Sequence, residues 1–104
     1  MEIKEIGAHT AVINLPDTVD IENYPVLTQS LNTLYEKGFT VIQLDFTSTK
    51  YIRKSCLGKI IMYHKKLKKR GGKLTIINVK SPTVRHLFDM LELCKIINIE
   101  ETDA

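Results

Sequence analysis

Two short β-prone runs open the chain, residues 2–6 and 9–15, joined around Gly7-Ala8. Ala11, Val12, Ile13 and Leu15 make the second run nearly continuous in apolar character, which predicts a hairpin whose second strand is the more buried. Pro16-Asp17 breaks the run, and Asp20 offers helix-capping chemistry ahead of Tyr24, Leu27, Leu31 and Leu34, which recur on one helical stripe until Gly38. A first helix is expected over about residues 21–37. Val41 to Asp45 reads as a buried strand ending in an acid, followed by a hydroxyl-rich loop at Thr47-Ser48-Thr49. Ser55 is placed to open a second helix, with Leu57, Ile60, Ile61, His64 and Leu67 on its apolar stripe and Gly71-Gly72 as its stop. Leu74 to Val79 forms a third buried run. Ser81-Pro82 is a cap followed by proline at the first helical position, and Val84, Leu87, Phe88 and Leu91 form the stripe behind it. Ile96 to Ile99 adds a short edge strand.

Strands alternating with helices at this spacing predict an α/β domain with a mixed sheet of four to five strands and about three main helices, whose crossovers are right-handed. The core is expected to hold Val12, Ile13, Leu31, Leu34, Val41, Ile42, Leu44, Leu57, Ile60, Ile61, Leu74, Ile76, Leu87, Phe88 and Leu91. At 104 residues the chain has room for one such core, so residues 1–104 are read as a single domain. No apolar run approaches the roughly 20 residues of a membrane span. The first residues alternate charge and apolar side chains without a signal-peptide pattern, so a cytoplasmic location is expected. Cys56 and Cys94 lack C-x-x-C spacing, which argues against a disulfide framework or zinc module.

The net charge of +3 conceals a segregation along the chain. Residues 1–45 carry seven acids against Lys4 and Lys37, whereas residues 46–88 carry twelve Lys or Arg and no acid. Residues 89–104 return to five acids against Lys95. A basic block of this kind is either a solvated helix face and partner rim or an anion-binding stripe. Ten of the cations fall within residues 50–73, so a small nucleic-acid-binding domain using the second helix is the alternative function. Only Tyr51 and Tyr63 are aromatic in that tract, and it has no groove-reading or base-stacking motif, which makes nucleic acid the weaker reading.

No constellation points to catalysis. Gly71-Gly72-Lys73 lacks P-loop spacing, and the dinucleotide, zincin and nucleophile-elbow patterns are all missing. His9, His64 and His86 belong to three different expected elements, so neither a metal site nor a cofactor is expected. The chain is read as a non-enzyme.

The segment Tyr51-Ile52-Arg53-Lys54-Ser55-Cys56-Leu57-Gly58 leads a loop into a helix, and here the chain resembles the STAS domain of bacterial anti-sigma-factor antagonists. Family members carry a buried strand ending in an acid, then a motif of the form aromatic-Ile-Asp-Ser-Ser-Gly-Leu-Gly, a helix, a Gly-Gly turn and a strand. Val41 to Asp45 matches the strand, Tyr51-Ile52 the lead-in, Ser55 the second serine, Leu57-Gly58 the end of the motif and Gly71 to Leu74 the turn. Val19-Asp20-Ile21-Glu22-Asn23-Tyr24-Pro25 resembles the family's approach to its first helix. Arg53 stands in place of Asp, Lys54 in place of the first Ser and Cys56 in place of Gly. The resemblance covers almost the whole chain. It implies a regulatory protein-binding module whose partner is an anti-sigma factor that is also a serine kinase, with ATP belonging to that partner. It also implies that Ser55 is the phosphoacceptor and that the unphosphorylated form holds the kinase.

Two roles are open to Ser55 on physical grounds. Its hydroxyl could cap the second helix. A phosphate there would instead bring about −1.5 to −2 charges to the positive end of that helix. The expected contact surface comprises Arg53, Lys54, Ser55, Lys59, Met62 and Tyr63, joined by Asp20 and Asn23 if the two loops meet, with Met62 and Tyr63 equally suited to the core boundary. Arg53 and Lys54 reverse the sign of the field that an acidic lead-in would set, so they would attract a phosphate. Cys56, near a helix N-terminus among cations, is open to redox chemistry or to simple packing.

Overall fold

The computed structural model describes residues 1–100 as one α/β unit. Its strands are β1 (Glu2–Glu5), β2 (Thr10–Asn14), β3 (Thr18–Val19), β4 (Val41–Asp45), β5 (Tyr51–Ile52), β6 (Lys73–Ile77) and β7 (Asn98–Glu100). Its helices are α1 (Tyr24–Glu36), α2 (Lys54–Lys68) and α3 (Pro82–Met90), with a 3-10 turn at Leu93–Lys95 before β7. The main sheet runs β1-β2-β4-β6-β7. Only β1 is antiparallel to its neighbour; β2, β4, β6 and β7 are parallel. This is the expected mixed sheet of five strands with three main helices.

Strand register separates two faces. Ala11, Ile42 and Leu74 pair across the sheet, as do Ile13, Leu44 and Ile76, and all six are fully buried. Leu27, Leu31, Leu34, Leu57, Ile60 and Leu67 from α1 and α2 join them in the core. One residue along each strand, Val12 and Val41 fall on the other face and are half-buried, which corrects their expected core placement. Ile61 and Leu87 are likewise half-buried at the core margin. Leu91 is 42% exposed because it caps α3 instead of continuing its stripe. Beyond it Glu92 adopts a left-handed conformation, and Leu93 and Ile97 turn into the core in its place. Leu15, Val19, Phe39, Phe46, Ile52, Val79 and Val84 are buried as well, and Phe46 meets Phe88 edge to face at 5.4 Å.

The helix boundaries have local causes. Ser81 Oγ accepts from the Val84 amide at 3.3 Å, the expected cap, with Pro82 opening α3. Residues 21–23 form a turn rather than the first turn of α1, because Asp20 and Asn23 bind each other's backbone there. The stop after α2 uses its two glycines differently. Gly71 supplies a φ of +79°, whereas a Cβ on Gly72 would sit 2.0 Å from the Thr40 carbonyl oxygen. Gly72 therefore lets the α2–β6 turn press against the start of β4, where the Lys73 amide donates to that carbonyl at 2.8 Å.

Candidate functional site

Two short strands assemble the site. Thr18 pairs with Tyr51 and Val19 with Ile52 in a parallel ladder separate from the main sheet. The Lys50 amide donates to the Asp17 carbonyl at 2.7 Å and the Arg53 amide to the Val19 carbonyl at 2.9 Å, so the chain is laced together immediately before Asp20 and before Ser55. The two loops do meet. Sequence periodicity does not reveal the ladder, since two-residue strands are too short to show alternation.

Asp20 and Asn23 shape the first loop. Asp20 Oδ1 accepts from the amides of Glu22 at 3.0 Å and Asn23 at 3.2 Å, and Asn23 Oδ1 accepts from the Asp20 amide at 2.9 Å. The Asn23 side-chain amide donates to the Thr18 carbonyl, which ties this turn to the ladder. Both side chains are half-buried, so they hold the loop as well as edging the site.

Arg53, not Ser55, occupies the N-cap position of α2, with extended dihedrals and no side-chain capping bond. Ser55 is the second helical residue and is exposed. This removes one of the two roles open to it, that its hydroxyl caps the helix. The amides of Cys56 and Leu57 already donate to the Arg53 carbonyl, at 3.0 and 3.3 Å. The Ser55 hydroxyl contacts the Cys56 thiol instead, and Cys56 is 2% exposed. Burial pushes that thiol above its ordinary value, and the Asp20 carboxylate adds to the rise against the opposing Ser55 hydrogen bond and Arg53 charge. A buried thiol with a raised pKa is a packed group, not a reactive one.

From Ser55 an exposed strip follows the helical repeat through Gly58 and Lys59 to Met62. Gly58 has open space where a Cβ would lie, so the strip beside Ser55 is shallow. Arg53 and Lys54 flank it and are exposed. Tyr63 departs from the expected surface: it is 4% exposed, its hydroxyl donates to Asn32 Oδ1 on α1, and Lys66 lies 5.0 Å from its ring. It belongs to the α1–α2 contact, because the helical repeat turns it inward from Met62.

The basic tract does not form one stripe. Lys50, Arg53 and Lys54 lie at the start of α2, while Lys65, Lys66, Lys68, Lys69, Arg70 and Lys73 gather around its other end, roughly 20 Å away along the axis. Arg70 lies 3.4 Å over the Tyr35 ring and donates to the Tyr35 carbonyl, and Lys66 lies 4.9 Å over the same ring. These cations cover the α1–α2 contact.

Among the described residues no group of three or more His, Cys, Asp and Glu side chains could hold a metal ion, and no helix is long and apolar enough to cross a membrane. His9 lies in the β1–β2 turn, His64 is buried in α2 and His86 is exposed on α3. A feature outside the expected site adjoins it: Ile21, Tyr51, Lys54, Ser55 and Leu87 line a cleft that runs on toward α3.

The STAS domain profile matches residues 1–104. The anti-sigma-B factor antagonist of Bacillus subtilis (strain 168) is 31% identical over 87 residues, covering 84% of this chain and 78% of that protein. Among solved structures, the unphosphorylated form of the anti-sigma factor antagonist SpoIIAA superimposes with a TM-score of 0.84 at 21% identity, over 98% of this chain and 87% of that one. The phosphorylated form of SpoIIAA, from Bacillus, gives 0.77 at 19% identity, over 98% and 90%. An anti-sigma factor antagonist from Mycobacterium paratuberculosis gives 0.81 at 16% identity, over 97% and 87%.

Proposed function

The chain belongs to the STAS domain family, and from that premise we propose that it is a non-catalytic cytoplasmic antagonist of an anti-sigma factor, which it binds through the Ser55 face and releases on phosphorylation of Ser55. The observation that carries the reading is the placement of Ser55: exposed, in the first turn of a 15-residue helix, and laced by the β3–β5 ladder to the Asp20 loop. A neutral hydroxyl there can sit within a protein contact. A phosphate would add about −1.5 to −2 charges and three acceptor oxygens to the same point.

The field around that phosphate has two parts. Arg53, Lys54 and the helix N-terminus attract it, whereas the Asp20 carboxylate, near enough to act on the adjacent Cys56 thiol, repels it. The cations screen the new charge from a partner, so phosphorylation weakens binding less here than it would beside an acidic lead-in. The partner of this reading is an anti-sigma serine kinase. Its ATP is its own, and Ser55 supplies only the attacking hydroxyl: the Ser55 oxygen bonds to the γ-phosphorus, the bond to the ADP leaving group breaks, and the hydroxyl proton passes to a base of the kinase.

Calorimetry of the wild type, Ser55→Ala and Ser55→Asp with the anti-sigma-B factor of Bacillus subtilis tests this. Wild type and Ser55→Ala should bind alike and Ser55→Asp more weakly. Equal binding by all three forms would leave Ser55 outside the contact.

A further inference from the structure

Exposed apolar side chains are ordinary when scattered, but here several line one continuous depression beside Ser55. Tyr51, Ile52, Lys54, Val84, Leu87 and Met90 lie along an apolar trough of about 280 Å³ between α3 and the start of α2. It shares Tyr51, Ile52, Lys54 and Leu87 with the cleft that contains Ser55 and Ile21. Ile21 is 63% exposed, Tyr51 48% and Met90 61%. Among the described residues no acidic side chain lines either part, while Arg53, Lys54 and His86 do.

We propose that this trough is the anchor pocket of the docking surface, taking a large aliphatic or aromatic side chain from an acidic stretch of the anti-sigma factor that contacts Ser55. The proposal rests on the reading of Ser55 as the partner-facing switch. Continuity of the trough with the Ser55 cleft gives the occupant its source, since a protein covering Ser55 also lies over Tyr51 and Lys54. The cationic rim gives the occupant its chemistry: carboxylates flanking the anchor would meet Arg53 and Lys54, whereas a basic segment would be repelled. An apolar centre within a charged rim is also the usual anatomy of a contact in which a few side chains carry most of the affinity. α3 thereby becomes part of the recognition surface.

The chain contains three methionines, Met1, Met62 and Met90, so labelling their methyl groups with carbon-13 gives three signals that report on separate places. Met62 follows the Ser55 strip of α2 and Met90 the trough on α3. The labelled chain is titrated with the anti-sigma-B factor of Bacillus subtilis, with calorimetry in parallel. The Met90 signal should shift and saturate at the concentration where heat saturates, and Met90→Glu should bind about tenfold more weakly or worse, as truncating an anchor contact does. Met90 is exposed, so that variant keeps its fold, and thermal melting confirms it.

A complex in which Met62 shifts while Met90 stays fixed and Met90→Glu binds like wild type overturns the pocket and leaves the Ser55 reading standing. A Met90 shift and a weakened Met90→Glu, together with equal binding by Ser55→Ala and Ser55→Asp, would keep the pocket and overturn the switch. Met90 shifts that follow this chain's own concentration would assign the trough to a second copy and overturn the proposal. The lack of any heat or shift overturns both readings.

Discussion

Acidification should destabilise this domain through His64, and His64→Asn should abolish that sensitivity. The imidazole is 5% exposed, and its Nδ1 accepts from the Leu74 amide at 3.2 Å, which ties α2 to the central strand β6. Burial and then the nearby Lys68 ammonium hold it below its ordinary value of 6.5, against opposing backbone interactions at Leu74 and Ile96. A base depressed in the fold stays neutral there while the unfolded chain takes up a proton, so the unfolded state binds more protons as the pH falls below about 6.5. Stability is therefore complete above that value and declines as the pH drops toward the folded pKa. At about pH 5.5, one unit below the unfolded value, the loss reaches up to about 1.4 kcal/mol, a sizeable share of a total of roughly 5–15 kcal/mol. The assay is urea unfolding at steps between about pH 7.5 and 5.5, above the range where carboxylates titrate. Asparagine keeps an acceptor near the Nδ1 position but cannot titrate, so His64→Asn should be less stable at neutral pH through lost packing and should show a flatter pH profile. Equal slopes in the two proteins would refute the assignment and place the pH sensitivity elsewhere.

Three further predictions concern packing. Gly72→Ala should lower the melting temperature sharply, by an amount matching about 2 kcal/mol or more, because the added Cβ collides with backbone at Thr40; unchanged melting would mean that the turn can move aside. Phe46→Ala should cost about 3–5 kcal/mol by urea unfolding, since the ring is fully buried against Phe88, whereas Leu91→Ala should stay within about 0.5 kcal/mol. Tyr63→Phe should cost about 1 kcal/mol through the lost bond to Asn32, and it should leave partner binding unchanged because the ring faces α1; weakened binding would return Tyr63 to the docking surface.

The regular elements of this fold are legible in the sequence because their punctuation is local. Ser81-Pro82 and Gly38 act within one turn of chain, so a reader needs no tertiary information to place the ends of α3 and α1. Structure departs from local pattern where distant neighbours decide. Val12 and Val41 are as apolar as Ile13 and Ile42, and only strand pairing puts them on the less covered face. Leu91 keeps the sequence spacing of the α3 stripe, yet the helix stops before it and the left-handed turn at Glu92 sends Leu93 inward in its place. The candidate site follows the same rule. The family motif marks Ser55, but the β3–β5 ladder that brings Asp20 to it spans more than thirty residues of sequence and depends on two-residue strands. Of the two roles open to Ser55, capping is excluded for a local reason: Arg53 is the N-cap and Lys54 the first helical residue, so the exposed Ser55 hydroxyl meets Cys56 instead of closing the turn.

In the proposed switch Ser55 is a phosphoacceptor whose charge state sets partner affinity. Tandem mass spectrometry of the full chain after incubation with the Bacillus subtilis anti-sigma-B factor and Mg-ATP tests it most directly. A single added phosphate is expected, located on Ser55 and absent from Ser55→Ala. Modification confined to Thr47, Ser48 or Thr49, or an unmodified chain recovered from a complex that calorimetry shows to form, would contradict it.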